Sequence, residues 1–236
     1  MNKIKLFFIA FLTFVNYSPA QNQNWVIGAD ANYNIPIAGL AKRLEANFGA
    51  LIYAGKNVDE KWTWLGKFEY FKLTDVNKDK MFKFVKTDVN NNSSEYKFEL
   101  PLLKMDLTVA GLGVEARYNL FSNQIFESDL NLGFGFYYWE HNRSSYYDSL
   151  FVDATGTGNL VFLELLDVPA LKQKDWSGGI NFGADFNILL LDPFYFNLGV
   201  NYKLIIGELW PTLSLNLENV SGMQFIDFRA GFKVKL

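Results

Sequence analysis

The chain has 236 residues, a net charge of −3 at neutral pH and no cysteine. The lack of cysteine excludes a disulfide framework, a thiolate metal site and a cysteine nucleophile, and the weak negative charge gives no indication of a nucleic-acid partner. Aromatic residues make up 17% of the chain and Phe alone occurs 23 times, a composition typical of a barrel with a lipid-facing surface. No residue pattern indicates a metal or another cofactor.

The amino-terminal segment has the three parts of a secretory signal peptide. Lys3 and Lys5 give a positive start, residues 6–15 are an apolar run, and the small residues of Ser-Pro-Ala precede a cleavage point. The apolar run is shorter than the roughly 20 residues that a membrane-spanning helix needs. We therefore expect residues 1–20 to be cleaved and residues 21–236 to form the mature domain.

The rest of the chain alternates apolar residues with polar or small ones, which predicts β-strands. Eight such segments are near the length of about ten residues that a tilted membrane-spanning strand requires. They are residues 25–35, 46–54, 62–73, 107–120, 126–140, 176–188, 194–205 and 223–236. In the last segment Phe228, Ala230 and Phe232 lie on one face, while Asp227 and Arg229 lie on the other.

The connections between these segments alternate in length. Short turns follow the second, fourth and sixth segments, and long connections follow the first, third, fifth and seventh. Residues 37–45 look helical, and strand-like residues 82–89 and 96–103 predict a hairpin within the connection 74–106. Residues 141–175 are expected to be the longest loop, and residues 207–222 the last one. Short periplasmic turns and long external loops are typical of outer-membrane barrels.

The sequence therefore predicts an all-β fold, an eight-stranded antiparallel up-and-down transmembrane β-barrel. A soluble, lipocalin-like barrel is the alternative. It would turn its apolar face inward and has no reason for the asymmetry between short and long connections.

The predicted inward face carries acids and bases in nearly equal number. An eight-stranded barrel has an interior only about wide enough for side chains, and an unpaired buried charge is costly, so we expect these charges to pair across it. The network comprises Asp30, Lys67, Glu69, Glu115, Arg117, Glu127, Asp129, Asp185, Lys203, Asp227, Arg229 and Lys233, with Lys235 beside them. A plugged structural interior and a narrow path for ions remain alternative interpretations.

A lipid-modifying enzyme is a further alternative, for which a His base and a Ser nucleophile would have to lie within hydrogen-bonding distance. The only histidine, His141, lies near Glu140, Ser144 and Ser145. This spacing matches no acyl-transfer motif, so we expect no catalytic site.

The signal peptide, the eight-segment pattern and the terminal segment FIDFRAGFKVKL resemble the small outer-membrane β-barrels of Gram-negative bacteria. These include the OmpA-like transmembrane domain and the porin-family barrels of Bacteroidetes. Family members usually end in Phe, whereas this chain ends in Leu236. The resemblance implies a monomer in the outer membrane, in contact with its lipid and with the barrel-assembly machinery during biogenesis.

Apolar residues in the connection 141–175 are candidate contacts for an external partner or for lipid. The candidates are Tyr146, Tyr147, Phe151 and Phe162, together with Leu160, Val161 and Leu163. A loop that folds onto the rim of its own barrel explains these residues equally well. The expected function is therefore structural or exerted through the external loops, and the sequence does not identify a ligand.

Overall fold

A computed structural model describes residues 25–89, 92–153 and 158–236, so the predicted signal peptide lies outside the described residues. The strands are β1 (Trp25–Pro36), β2 (Asn47–Asn57), β3 (Trp62–Leu73), β4 (Phe82–Val89), β5 (Asn92–Glu99), β6 (Met105–Ser122), β7 (Phe126–Arg143), β8 (Tyr146–Val152), β9 (Val161–Val168), β10 (Leu171–Leu191), β11 (Phe194–Leu209) and β12 (Val220–Lys235). Short 3-10 turns occupy Leu40–Lys42 and Leu213–Leu215. In these described ranges we find no helix with the length and hydropathy of a membrane span.

Eight of the strands form one closed antiparallel barrel in the order β1-β12-β11-β10-β7-β6-β3-β2. The first and last strands close it, because Trp25 and Leu236 exchange main-chain hydrogen bonds of 3.0 and 2.8 Å. The remaining strands form two separate hairpins, β4–β5 and β8–β9. The predicted eight-stranded antiparallel barrel is thus confirmed.

The two ends of the barrel differ in their connections. At the end that we call the turn end, the links are residues 58–61, 123–125 and 192–193. At the opposite end, the loop end, lie the long connections: residues 37–46, the β4–β5 hairpin with its flanks, the β8–β9 hairpin with its flanks, and residues 210–219. The predicted alternation of short and long connections is confirmed.

The connection predicted over residues 141–175 is present with narrower bounds, residues 144–170, and it is shorter than the connection 74–104. Strand β7 continues to Arg143, β10 begins at Leu171, and the residues between them contain the β8–β9 hairpin. The last connection is also shorter than residues 207–222, because β11 runs to Leu209 and β12 starts at Val220. The strands extend at the loop end because inward residues there, such as Leu209, are buried in an apolar core. The predicted hairpin at residues 82–89 and 96–103 is present, with its second strand shifted to Asn92–Glu99.

The outer wall carries a belt of exposed apolar side chains. It includes Ile27, Ile52, Phe68, Leu112, Leu132, Phe134, Phe136, Phe182, Leu198, Phe228 and Phe232. Exposed aromatic residues border the belt, with Trp25, Trp62 and Trp64 at the turn end and Tyr33, Phe48, Tyr70 and Trp176 at the loop end. Beyond Tyr138 on β7 the outward residues become polar, and Glu140 pairs with Lys172 at 2.8 Å. An apolar belt between aromatic girdles is the outer surface of a barrel in lipid.

Candidate functional site

The charged residues of the predicted network lie in the half of the barrel interior nearer the turn end. The inward residues of β12 illustrate the arrangement, because Lys233, Arg229 and Asp227 are followed toward the loop end by Phe225 and Met223. All five are buried. Alternation along each strand places such residues inside while their neighbours face outward.

Glu115 on β6 lies at the centre of this network. Its carboxylate contacts Lys67 Nζ at 3.2 Å, Arg117 Nε at 2.9 Å and Arg229 Nη1 at 3.7 Å. Asp185 on β10 contacts the same two arginines, at 3.5 Å from Arg117 and 3.3 Å from Arg229. Strands β6 and β12 lie opposite each other in the closed sheet, so the Glu115–Arg229 pair connects opposite walls of the barrel.

Smaller groups of charges flank this centre. Toward the loop end, Lys203 contacts Asp227 at 2.8 Å and also pairs with Glu69. Toward the turn end, Lys233 lies 3.3 Å from Glu127 and 3.8 Å from Asp129, and Lys235 also pairs with Glu127. Each base of the predicted network therefore has a carboxylate within 4 Å.

Asp30 differs from the other acids of the network. In the described part of the chain no base lies within ion-pair distance of its carboxylate, which instead accepts a hydrogen bond of 2.9 Å from Asn197 Nδ2. The side chain is only 4% exposed. It therefore takes part in the interior polar packing through a neutral partner.

The interior is filled by these side chains. Inward glycines make room for them, since a Cβ on Gly199 would collide with the Asp185 carboxylate and one on Gly231 would collide with Asp30. A vestibule of about 160 Å³ opens at the turn end and is lined by residues that include Lys61, Thr63 and Arg117. Deeper in the network the space is only about 10 Å³, which is close to the minimum that a single water molecule needs.

An apolar core fills the half of the barrel nearer the loop end, and the connections close over it. Its buried members include Leu40, Leu44, Leu73, Val76, Met81, Leu107, Val109, Trp139, Ile205, Leu209, Leu215 and Val220. We call this core and its covering connections the cap. Phe71 and Phe225 meet edge to face at 5.2 Å at its base, where Lys203 Nζ lies 4.8 Å from the Phe71 ring.

The cap was not predicted from the sequence, although the inward face of β7 carries a signal for it. That face begins with Glu127 and Asp129 at the turn end and continues toward the loop end as Tyr137 and Trp139. Such a change from charged to apolar inward residues along one strand indicates that the interior itself changes character.

Besides Lys83, which pairs with Glu164 at 3.3 Å, three basic residues are buried in the cap, beyond the apolar belt. Arg43 Nη2 donates to the carbonyls of Trp210 at 3.1 Å and Glu218 at 2.6 Å. Arg143 donates from Nη2 to the Pro169 carbonyl at 2.9 Å and from Nη1 to the Thr212 hydroxyl. These bonds hold three connections of the loop end together.

The third base, His141, is fully buried and its Nδ1 lies 2.9 Å from the carbonyl of Asp106. Burial lowers the pKa of His141 to about 4, and the charges of Arg43 and Arg143 contribute to the shift. Burial lowers the pKa of Arg43 to about 10, with a further contribution from Arg143. Both shifts arise because a buried group near like charges is harder to protonate.

The residues considered for lipid chemistry do not come together. Ser144 Oγ hydrogen-bonds the main chain of Lys104, and Glu140 faces outward toward Lys172. Within the described residues no hydrogen bond joins His141 to Ser144 or Ser145. The imidazole of His141 is itself fully buried.

One face of the β8–β9 hairpin packs in the cap, and the other face is exposed. Tyr147, Phe151 and Phe162 are 66%, 46% and 54% exposed, and the last two rings pack at 5.7 Å. Leu165, Leu160 and Val161 are exposed as well. The expectation that Tyr146 is an exposed contact was wrong, because its side chain faces the cap and is only 6% exposed.

The sequence matches no protein-family model and no curated protein. Neisserial surface protein A aligns over 90% of this chain and 97% of its own, with 15% identity and a TM-score of 0.44. A major outer membrane protein from Thermus thermophilus aligns over 90% and 98%, with 9% identity and a TM-score of 0.48. The attachment invasion locus protein Ail of Yersinia pestis aligns over 89% and 96%, with 10% identity and a TM-score of 0.38.

Proposed function

We propose that the protein is an outer-membrane β-barrel with a sealed interior that acts through the surface of its loop end. The apolar belt supports the membrane location, because so many exposed apolar side chains around one wall are unfavourable in water and favourable in lipid. The predicted signal peptide supports export. Because short turns are periplasmic and long loops external in outer-membrane barrels, the turn end lies in the periplasm and the loop end lies outside the cell.

The observation that carries the sealed interior is the cap. A core of buried apolar side chains from Leu40 to Phe225 occupies the loop half of the barrel, and the paired charges occupy the turn half. Water and ions would have to displace both, at a cost in apolar contacts and in buried ion pairs. The charged network then closes the inner end of the vestibule.

Single-channel conductance of the mature chain, residues 21–236, in a planar lipid bilayer tests this proposal. Folded protein should give no steady openings. Steady openings whose conductance or ion preference changes in Arg117→Ala would instead support the narrow pore. A Gln124→Ala control, at an exposed position of a turn-end connection outside the vestibule lining, leaves the network intact and should match the wild type in either case.

We further propose that the exposed face of the β8–β9 hairpin is the contact surface, which we call the hairpin face and define as Tyr147, Phe151, Leu160, Phe162 and Leu165. Residues 144–170 contain the acids Asp148, Asp153 and Asp167, besides Glu164, which pairs with Lys83 of the other hairpin, and no Lys or Arg. Exposed apolar patches bordered by polar groups are typical of interaction sites. The chemistry suits a partner that presents apolar side chains together with positive charge.

A pair of synthetic amphipathic peptides, one of Leu and Lys and one of Leu and Glu, tests this surface. With the protein in nanodiscs of neutral lipid, the Lys peptide should bind at least about tenfold more tightly than the Glu peptide, as expected for complementary charge. The double substitution Tyr147→Ser and Phe162→Ser should weaken that binding. Phe84→Ser on the other hairpin, where Phe84 is 42% exposed, is the matched control. Equal binding of both peptides, or equal loss in the control, contradicts the proposal.

A further inference from the structure

Two arginines in the cap are buried without an acidic partner among the described residues. Arg43 is 1% exposed and Arg143 is 6% exposed. Their hydrogen-bond acceptors are the main-chain carbonyls of Trp210, Glu218 and Pro169 and the hydroxyl of Thr212, all of which are neutral. Two buried positive charges are thus solvated by dipoles alone.

The interior network of the same barrel is built differently. There each buried base has a carboxylate within 4 Å, as Arg117 has in Glu115 and Asp185. Among the described residues no carboxylate lies within that distance of the Arg43 or Arg143 guanidinium. A buried charge without a counter-ion is strongly destabilising, so the difference calls for a physical explanation.

The two guanidinium groups lie in the same part of the cap. Arg43 binds the carbonyl of Trp210 and Arg143 binds the hydroxyl of Thr212, two residues further along the chain. The segment 210–212 therefore connects them, and each adds to the positive potential at the other. The charge of Asp106 acts on His141 beside them, but the Asp106 carboxylate lies 3.7 Å from Lys72 and accepts a hydrogen bond of 3.0 Å from Asn142.

One donor of this group is free. Arg43 Nη1 is buried and has no hydrogen-bond partner, and neither has His141 Nε2. The Asp106 carbonyl accepts from His141 Nδ1, so in the neutral imidazole Nε2 is an acceptor. The N–H groups of Arg43 Nη1 are consequently available to donate hydrogen bonds to an anion.

We propose that a small inorganic anion of about the size of chloride binds beside Arg43 Nη1 in the cap and is the counter-ion of Arg43 and Arg143. It accepts from the free N–H groups of Arg43 and neutralises part of the charge that both guanidiniums carry. In doing so it stabilises the attachment of residues 37–46 to residues 210–219.

Thermal unfolding of the mature chain in a non-ionic detergent tests the site. At constant ionic strength, replacing gluconate by chloride should raise Tm along a saturable curve, because the anion binds the folded state only. Arg43→Met should remove that response. The matched control is Lys42→Met at the neighbouring exposed position, which should retain it. A wild-type Tm that is the same in both salts, or a response that persists in Arg43→Met, overturns the proposal.

Bromide provides a second measurement that does not require the variant to fold. Crystals of the wild-type protein grown in bromide should give an anomalous peak within hydrogen-bonding distance of Arg43 Nη1. A water molecule at that position, with no anomalous signal, overturns the proposal.

Discussion

Tyr146 and Tyr147 are neighbours in the chain, yet the first is 6% exposed and the second is 66% exposed. The Tyr146 hydroxyl donates to Asp148 at 2.9 Å, and the Tyr147 hydroxyl donates to Asp167 at 2.7 Å. Adjacent side chains of a strand point to opposite faces. This pair therefore separates the face of the β8–β9 hairpin that packs on the cap from the hairpin face.

The two tyrosines should differ in their effect on stability. Tyr146→Ala leaves a cavity in the cap and should lower the free energy of unfolding by about 3 kcal/mol. Tyr147→Ala removes an exposed ring and should change it by no more than about 0.5 kcal/mol. Urea unfolding in detergent micelles, followed by tryptophan fluorescence, measures both. Similar losses in the two variants would show that the hairpin does not pack as described.

Glu115 offers a test of the interior network. Glu115→Gln leaves Lys67, Arg117 and Arg229 with less negative charge around them, and should lower the free energy of unfolding by about 3–5 kcal/mol. Glu60→Gln, at an exposed position of a turn-end connection, is the matched control and should have little effect. The same urea titration distinguishes them. If Glu115→Gln unfolds like the control, the charges do not act as a structural plug.

The barrel wall was predictable because its period is two and its two faces meet different surroundings. On β12, Phe228 and Phe232 must face lipid while Arg229 and Lys233 must face partners inside, so the alternation is visible in the sequence. Pairing distances such as that between Glu115 and Arg229 depend on which strands lie opposite each other in a closed sheet. The predicted inward face therefore included both residues but could not pair them.

The cap was not predictable in the same way. The β8–β9 hairpin is apolar on both faces, as Tyr146 and Tyr147 illustrate, so alternation cannot reveal which face is buried. Arg43 looks like a solvated loop residue in the sequence. Its burial results from the folding of residues 37–46 and 210–219 against each other, which is a tertiary contact between distant segments, as the separation of 175 between Arg43 and Glu218 illustrates.

His141 predicts how stability depends on pH. Burial lowers its pKa to about 4 in the folded protein, below the value of about 6.5 for an unfolded chain. The unfolded state therefore binds the proton first, and stability should fall as the pH drops from about 6.5 to about 4, by up to about 3 kcal/mol. Arg43 and Arg143 oppose protonation, whereas the Asp106 carboxylate and its backbone carbonyl favour it.

The comparison of wild type with His141→Asn isolates this contribution. Unfolding of both proteins is measured between pH 7 and pH 4 in chloride-free buffer, so that a bound anion does not favour the protonated ring. The difference in free energy of unfolding between the two should shrink as the pH falls. A difference that stays constant across this range would mean that His141 titrates normally.

Single-cysteine labelling tests the sealed barrel directly, because the natural chain contains no cysteine and each introduced thiol is the only one. Thr63→Cys lies in the turn-end vestibule, Tyr147→Cys lies on the external hairpin face, and Asn181→Cys lies within the network, where Asn181 is 1% exposed. In liposomes, a membrane-impermeant maleimide should label the first two from opposite sides only. Asn181→Cys should stay unlabelled from both sides until the protein is unfolded in denaturant. Rapid labelling at position 181 in the folded protein would mean that the interior is open to water, and it would favour the narrow pore over the sealed barrel.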